Sequence, residues 1–170
     1  MSRVNLSFCL ALLAICAVPP GWALPADRDL PLHISSDSAD FDDRSGVATY
    51  RGAVDISQGS TRLKADIVTV YTEKKTVTRL VAQGTEREAH YQEVIDAEKP
   101  PLHASSLTIN YNLITGTVEL IRRAKLTQGE DSFVGEYIQY DHKKQTVKAK
   151  GQHNGEKGRV KIVIQPNKSS

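Results

Sequence analysis

Thiols are nearly absent from this chain of 170 residues: its two cysteines, Cys9 and Cys16, both lie close to the N-terminus. No disulfide framework braces the remainder, and neither a cysteine metal site nor a thiol nucleophile is available there. Charge of one sign is also missing, since 22 Lys and Arg stand against 20 Asp and Glu for a net +2. That balance gives no electrostatic case for nucleic acid. Aromatic residues make up only 6%, and no apolar run reaches the roughly 20 residues that a membrane-spanning helix needs.

What the N-terminus does carry is a short apolar run, Val4 to Val18, after the positive Arg3 and before Pro19-Pro20. Small residues follow, with Gly21 and Ala23 at the minus-three and minus-one positions of a cleavage site. Residues 1–23 therefore read as a secretory signal cleaved after about Ala23. As a membrane anchor the run is too short and is broken by proline, and as a lipoprotein signal it would want a small residue at Ile15. Cleavage removes both thiols, and an exported chain without disulfides suits a bacterial periplasm. Residues 24–170 are long enough to bury one core, so a single domain is expected.

Charge is uneven along the chain. Residues 24–43 hold Asp27, Asp29, Asp37, Asp40, Asp42 and Asp43 against Arg28, whereas the last thirty residues are basic, with Lys148, Lys150 and Lys161 among them. Two solvated ends are one explanation. The other is that one end of a molecule meets the opposite end of the next.

Hydrophobic periodicity points to strands. Ala48, Tyr50, Val54 and Ile56 alternate with Thr49, Arg51, Asp55 and Ser57; Gln58-Gly59-Ser60-Thr61 turns the chain; Leu63, Ala65 and Ile67 resume the apolar face. Near Val68 and Val70 the parity is ambiguous, which fits a bulge or burial on both faces. A shift of seventy residues without a gap superposes Gly46 on Gly116, Gln58-Gly59 on Gln128-Gly129, and Lys74, Thr76 and Val77 on Lys144, Thr146 and Val147. Phe41 falls on Tyr111, Ile56 on Leu126, Leu63 on Phe133, and Asp66 on Glu136. The chain is thus an internal repeat whose copies must stack to complete an interior. Residues from Thr85 to Pro101 read as a strand and loop, and Val160, Ile162 and Ile164 as a final edge strand.

Catalytic chemistry is not legible. His33, His90, His103, His142 and His153 have no ligand-like spacing and read as surface or strand histidines, while Asp40, Asp42 and Asp43 before Gly46 lack the order and closing Glu of a calcium loop. Neither a nucleophile elbow nor a phosphate-cradling loop is present. The expectation is a non-enzyme without metal or cofactor. An envelope hydrolase and a lipocalin-like monomeric carrier of small ligands remain as alternatives.

The stretch "PLHISSDSADFDDRSGVATYRGAVDISQGSTRLKADIVTVY" resembles the opening of the OstA-like (LptA) family of periplasmic lipopolysaccharide-transport proteins. The matching positions are Ile34, Ser36 and Asp37, Gly52 and Val54, Gln58 and Gly59, and Ala65 and Asp66; "HASSLTINYN" and "GEYIQYD" resemble the second half of the pattern. Similarity runs from about Pro31 to Ile164. Two departures bear on register: "HASSLTINY" runs two residues longer than the pattern before Tyr111, and Arg123 stands where the first copy has Ala53. The resemblance implies an all-β, twisted, open antiparallel β-jellyroll of stacked repeats, roughly sixteen strands, open at both ends. It also implies lipopolysaccharide as cargo, bound through its lipid A part. Head-to-tail self-association and partners in the inner-membrane LptC and outer-membrane LptD components follow from it as well. Within such a fold, parity selects Ile34, Val54, Ile56, Leu63, Ile67, Tyr91, Leu107, Ile109, Tyr111, Leu126, Phe133 and Tyr137 as the lipid-facing interior. Leu32 and Ile34 at one end, with Val160, Ile162 and Ile164 at the other, are the expected assembly ends.

Overall fold

The computed structural model describes residues 30–153 and 156–166. The leader assigned to residues 1–23, the acids Asp27 and Asp29, and the terminal Lys168 lie outside the described residues, as does the side chain of His153. Among the described residues the regular structure is entirely strand. The first copy comprises β1 (His33–Ser35), β2 (Ser38–Asp42), β3 (Val47–Gln58), β4 (Thr61–Glu73) and β5 (Thr76–Gln83). β6 (Ala89–Glu93) and a loop to Pro101 connect it to the second. That copy has β7 (Leu102–Ser106), β8 (Thr108–Asn112), β9 (Thr117–Gln128), β10 (Asp131–Asp141) and β11 (Thr146–Lys150). A small hairpin of β12 (Gln152–His153) and β13 (Glu156–Lys157) precedes β14 (Lys161–Val163).

Among the described residues every strand pair is antiparallel, and the long strands β3, β4, β9 and β10 each pair with three others. One leaf contains β2, the first half of β3, the second half of β4, then β5, β8, the first half of β9, the second half of β10, and β11. The other contains β1, the second half of β3, the first half of β4, then β6, β7, the second half of β9, the first half of β10, and β14. The long strands cross from leaf to leaf at a shared line of irregularities.

Those irregularities are β-bulges, and they too repeat. Arg51 pairs with Ile67 and Val54 with Ala65, so Gly52 and Ala53 oppose Asp66 alone; their φ angles are 82° and 43°. Seventy residues on, Ile121 pairs with Tyr137 and Ala124 with Gly135, so Arg122 and Arg123, at φ 63° and 52°, oppose Glu136 alone. A two-against-one bulge bends its strand; here β3 keeps its parity through Tyr50, Val54 and Ile56, while on β4 the core positions move from Leu63 and Ala65 to Val68 and Val70. Arg123 in place of Ala53 therefore leaves the register unchanged. Nor does "HASSLTINY" carry extra residues relative to the first copy. The Ser36 hydroxyl donates to the Ser38 carbonyl (3.0 Å) and the Ser106 hydroxyl to that of Thr108 (2.7 Å), while the Asp37 and Leu107 amides donate to the Gly52 and Arg122 carbonyls.

The offset does change at the next hairpin. β4 turns into β5 through Lys74-Lys75, both at positive φ, whereas β10 turns into β11 through residues 142–145. Val70 faces Leu80 and Tyr140 faces Val147, so the structural counterpart of Val147 is Leu80 rather than Val77.

Both leaves bury the same side. Val54, Ile56, Leu63, Val68, Ala82, Ile109, Leu120, Leu126 and Ile138 are nearly inaccessible and form one cluster. Each large aliphatic side chain so placed contributes roughly 1.5–3 kcal/mol.

Candidate functional site, the apolar interior between the leaves

The space between the leaves contains two cavities related by the repeat. One, of about 250 Å³, is lined by Leu32, Ile56, Leu63, Leu80, Ile109 and Leu113, with Tyr91, Glu93, Tyr111 and His142 at its polar part. The other, of about 220 Å³, is lined by Leu102, Leu126 and Phe133 at the positions of Leu32, Ile56 and Leu63, joined by Ile95, Tyr140 and Val147, with Lys99, Asp131 and Gln145 on its polar side. Gln58 borders the first and Gln128 the second. The repeat thus produces two compartments along one interior, the first mostly apolar and the second with an apolar floor and a polar side.

Of the residues assigned to the interior by parity, Val54, Ile56, Leu63, Tyr91, Ile109, Tyr111 and Leu126 are buried there, and Ile34 and Phe133 are half-buried against the same cluster. Three assignments are corrected. Ile67 lies on the outer face between Arg51 and Gln83, because crossing Asp66 moves the interior positions of β4 from Leu63 and Ala65 to Val68 and Val70. Tyr137 is displaced in the same way across Glu136, and Ile138 and Tyr140 take the interior positions. Its hydroxyl donates to Glu119 Oε1 at 2.6 Å, and Lys150 Nζ sits 5.5 Å from its ring centre. Leu107 occupies the corner between β7 and β8, where its carbonyl accepts the Gly84 amide, and Ser106 is the fully buried neighbour.

His142 is a fourth correction, since it is no surface histidine. Its side chain is 12% exposed, and Nδ1 lies 3.1 Å from Glu93 Oε2 on a side chain 15% exposed. The Tyr91 hydroxyl donates to the same carboxylate oxygen at 2.8 Å. Tyr111 stacks on the imidazole at 5.6 Å and Tyr140 meets it edge-on at 4.8 Å, while Tyr91 and Tyr111 touch edge to face at 6.0 Å. Burial, with the Glu93 charge adding to it, pushes the Tyr91 hydroxyl well above its ordinary pKa. One signal for this cluster was available in the repeat: His142 replaces Thr72, a small residue whose hydroxyl donates to Gly46 within its own leaf.

The expected assembly ends fall on strand edges. Among the described residues β1 and β2 pair only with β3, and β11 and β14 only with β10. Among the described residues, most exposed large apolar side chains gather there, Phe41 on β2, and Ile162, Val163 and Ile164 on and just after β14, with Leu30 before β1; Ile114, in the turn between β8 and β9, stands apart. Leu32 and Ile34 are half-buried beside the first edge, and Val160 enters the second.

A two-leaved, wholly antiparallel sheet with a repeated apolar interior and open edges defines a class, that of β proteins whose stacked repeats extend one groove. Comparison places the chain within that class. Residues 33–146 match the model of the family described as LptA/(LptD N-terminal domain) LPS transport protein, and the chain belongs to this family. It is 38% identical over 153 residues to the lipopolysaccharide export system protein LptH of Pseudomonas aeruginosa, covering 87% of this chain and 86% of that protein. It is 31% identical to the lipopolysaccharide export system protein LptA of Escherichia coli K12, covering 98% and 88%. A crystal structure of LptH, the LptA-homologous periplasmic component of the lipopolysaccharide transport device of P. aeruginosa, superposes with a TM-score of 0.75. That match is at 37% identity and covers 84% of this chain and 100% of the other.

Proposed function

We propose that this chain is a periplasmic, non-catalytic carrier that holds the acyl chains of lipopolysaccharide between its leaves. In this reading it passes the lipid along a line of copies joined end to end, as an open antiparallel jellyroll. Exposing an acyl chain of about twelve carbons to water costs on the order of 10 kcal/mol at about 0.8 kcal/mol per methylene. A groove continuous from one compartment to the next replaces each methylene it releases with another it buries, so no step bears the whole cost. Family membership and the apolar lining of the compartments support the cargo.

The single observation that carries the assembly is the junction between the two copies inside one molecule. There Leu80 pairs with Tyr111, Val81 with Asn110 and Ala82 with Ile109, while Tyr91 pairs with Ala104. The open edges carry the counterparts of these strands. β11 sits on β10 as β5 sits on β4, β14 sits there as β6 does on β4, and β1 and β2 correspond to β7 and β8. Repeating the junction between molecules sets Val147 against Phe41, Lys148 against Asp40, Ala149 against Ala39, and Ile162 against Ile34 of the next copy. Exposed apolar residues are covered and opposite charges meet. The same edges are the sites offered to an inner-membrane LptC and an outer-membrane LptD partner.

Photo-crosslinking in the envelope tests the cargo. Probes at Leu63 and Phe133 should yield lipopolysaccharide adducts, and probes at Ile67 and Tyr137 on the outer face should yield none. Equal labelling of both faces would reject the groove as the lipid path.

A further inference from the structure

The Glu93–His142 contact joins the two leaves. Glu93 ends β6 in one leaf just before the loop to Pro101, and His142 follows β10 in the other at the start of its turn. Both therefore stand at the strand tips, on the side away from the line of bulges where the long strands cross. The backbone at this point is common to both copies: the Thr72 amide donates to the Gly46 carbonyl at 2.8 Å and the His142 amide to that of Gly116 at 2.9 Å. Beyond that shared hydrogen bond the hairpins differ: Thr72 still lies within β4, paired with Val77, whereas His142 opens the turn after β10. Thr72 keeps to its own leaf, whereas His142 reaches across.

A carboxylate and an imidazole held largely out of water lose hydration that apolar neighbours would not. The pair is positioned from several sides, by the Tyr91 hydroxyl on Glu93 and by the Tyr111 and Tyr140 rings on His142. It also borders the compartment of the first copy. Acyl chains between the leaves remain bonded to a saccharide in water, and that linkage must run through the mouth between the strand tips. Glu93, on the strand that joins the copies, and His142, from the second copy, span this mouth. We propose that their contact is a gate, which parts each time a lipid moves from the compartment of the first copy to that of the second. This inference rests on the acyl-carrier reading above.

The test uses the exported protein, with Cys9 and Cys16 changed to serine if the leader is retained, and fluorescently labelled lipopolysaccharide as probe. Glu93→Cys with His142→Cys, joined by a short bis-maleimide, locks the mouth; His142→Thr, which installs the side chain of the first copy, removes the contact. Locking should slow uptake at least tenfold relative to the same double variant without crosslinker, and His142→Thr should speed it at least threefold. A head-group-free fluorescent fatty acid should enter the locked protein within twofold of the unlocked rate, because no linkage has to cross the mouth. Should His142→Thr fail to fold, Glu93→Gln, which weakens the contact without emptying the space, takes its place with the same expected direction. Lipopolysaccharide uptake within twofold across locked, unlocked and opened forms overturns the gate while leaving the carrier intact. No uptake by the unmodified protein would reject the carrier reading, and the gate with it.

Discussion

Gln58 and Gln128, seventy residues apart, make the same long-range hydrogen bond: Nε2 of Gln58 donates to the Leu30 carbonyl at 2.9 Å, and Nε2 of Gln128 to the Pro100 carbonyl at 3.2 Å. Each glutamine thus fastens the segment entering the copy to the hairpin that follows it. The adjoining glycines, Gly59 at φ 56° and Gly129 at φ 59°, occupy the first central position of a two-residue turn, where a left-handed backbone matches the twist of the strands. What looks in the sequence like a repeated turn motif is also a repeated strand anchor.

Removing the two anchors should have different consequences. Gln128→Ala frees Pro100 at the junction between copies and should cost about 0.5–1.5 kcal/mol, lowering Tm by about 2–4 °C for each kcal/mol lost. Gln58→Ala frees Leu30 beside the open edge of β1, so Tm should move less while amide exchange across His33–Ser35 accelerates. Equal Tm losses with unchanged exchange would contradict this division of labour.

The two bulges should respond oppositely to glycine chemistry. Arg122 and Arg123 hold left-handed conformations that ordinary residues adopt at a cost. Arg122→Gly should therefore be neutral or stabilising, by up to about 1 kcal/mol. At the equivalent Gly52, φ is 82° and an added Cβ would run into the Asp37 side chain, so Gly52→Ala should be destabilising. Urea unfolding of the two variants decides the sign.

Much of this fold is legible because strand parity and the seventy-residue offset are written in side chains: Leu63 and Phe133, or Ile56 and Leu126, announce one face in two copies. What parity could not carry was the effect of bulges. The ambiguous parity at Val68 and Val70 marks the first without locating it, and Arg122 and Arg123 look like ordinary exposed strand residues, so parity puts Ile67 and Tyr137 on the wrong face. Glu93 and His142 were missed for another reason. Their contact joins residues 49 positions apart on different leaves, and only the break of the repeat at Thr72 hinted that His142 differs.

Stability should fall at both extremes of pH. Hydrogen bonds from the Ser45 hydroxyl to Asp42, from the Thr85 hydroxyl to Asp66 and from the Lys144 amide to Asp141 hold these carboxyls below their ordinary pKa. A depressed folded pKa gives stability that is complete above the unfolded value of about 4 and is lost as pH falls through the folded one. Tyr91 and Tyr137 are raised, each first by burial, so their contribution is complete below about pH 10 and is lost as pH rises beyond it. Tm measured between pH 2 and 11 should show both limbs. Asp66→Asn should flatten the acid limb, and Tyr137→Phe the alkaline one.

Assembly gives the most exacting prediction, because the internal junction fixes a register as well as a surface. If β11 meets β2 of the next copy as β5 meets β8, Lys148 stands opposite Asp40, a residue that already engages Arg51 at 2.5 Å. Asp40→Lys alone breaks that pair and sets a second lysine against Lys148, so oligomers should dissociate at concentrations where the unmodified protein assembles. Lys148→Asp alone should do the same by facing Asp40. Together the two changes restore opposite charges across the interface and should recover assembly at least in part. An equal mixture of the two single variants should also assemble, in strict alternation, because each molecule then meets an opposite charge at both of its ends. Ile162→Asp, which buries a carboxylate against Ile34, should abolish assembly in either background while leaving the fold of the monomer unchanged, since Ile162 is 52% exposed within one molecule. Light scattering across a concentration series reads every one of these cases. Retention of long oligomers by Ile162→Asp, or failure of the double charge exchange to exceed either single variant, would show that the ends do not copy the internal junction.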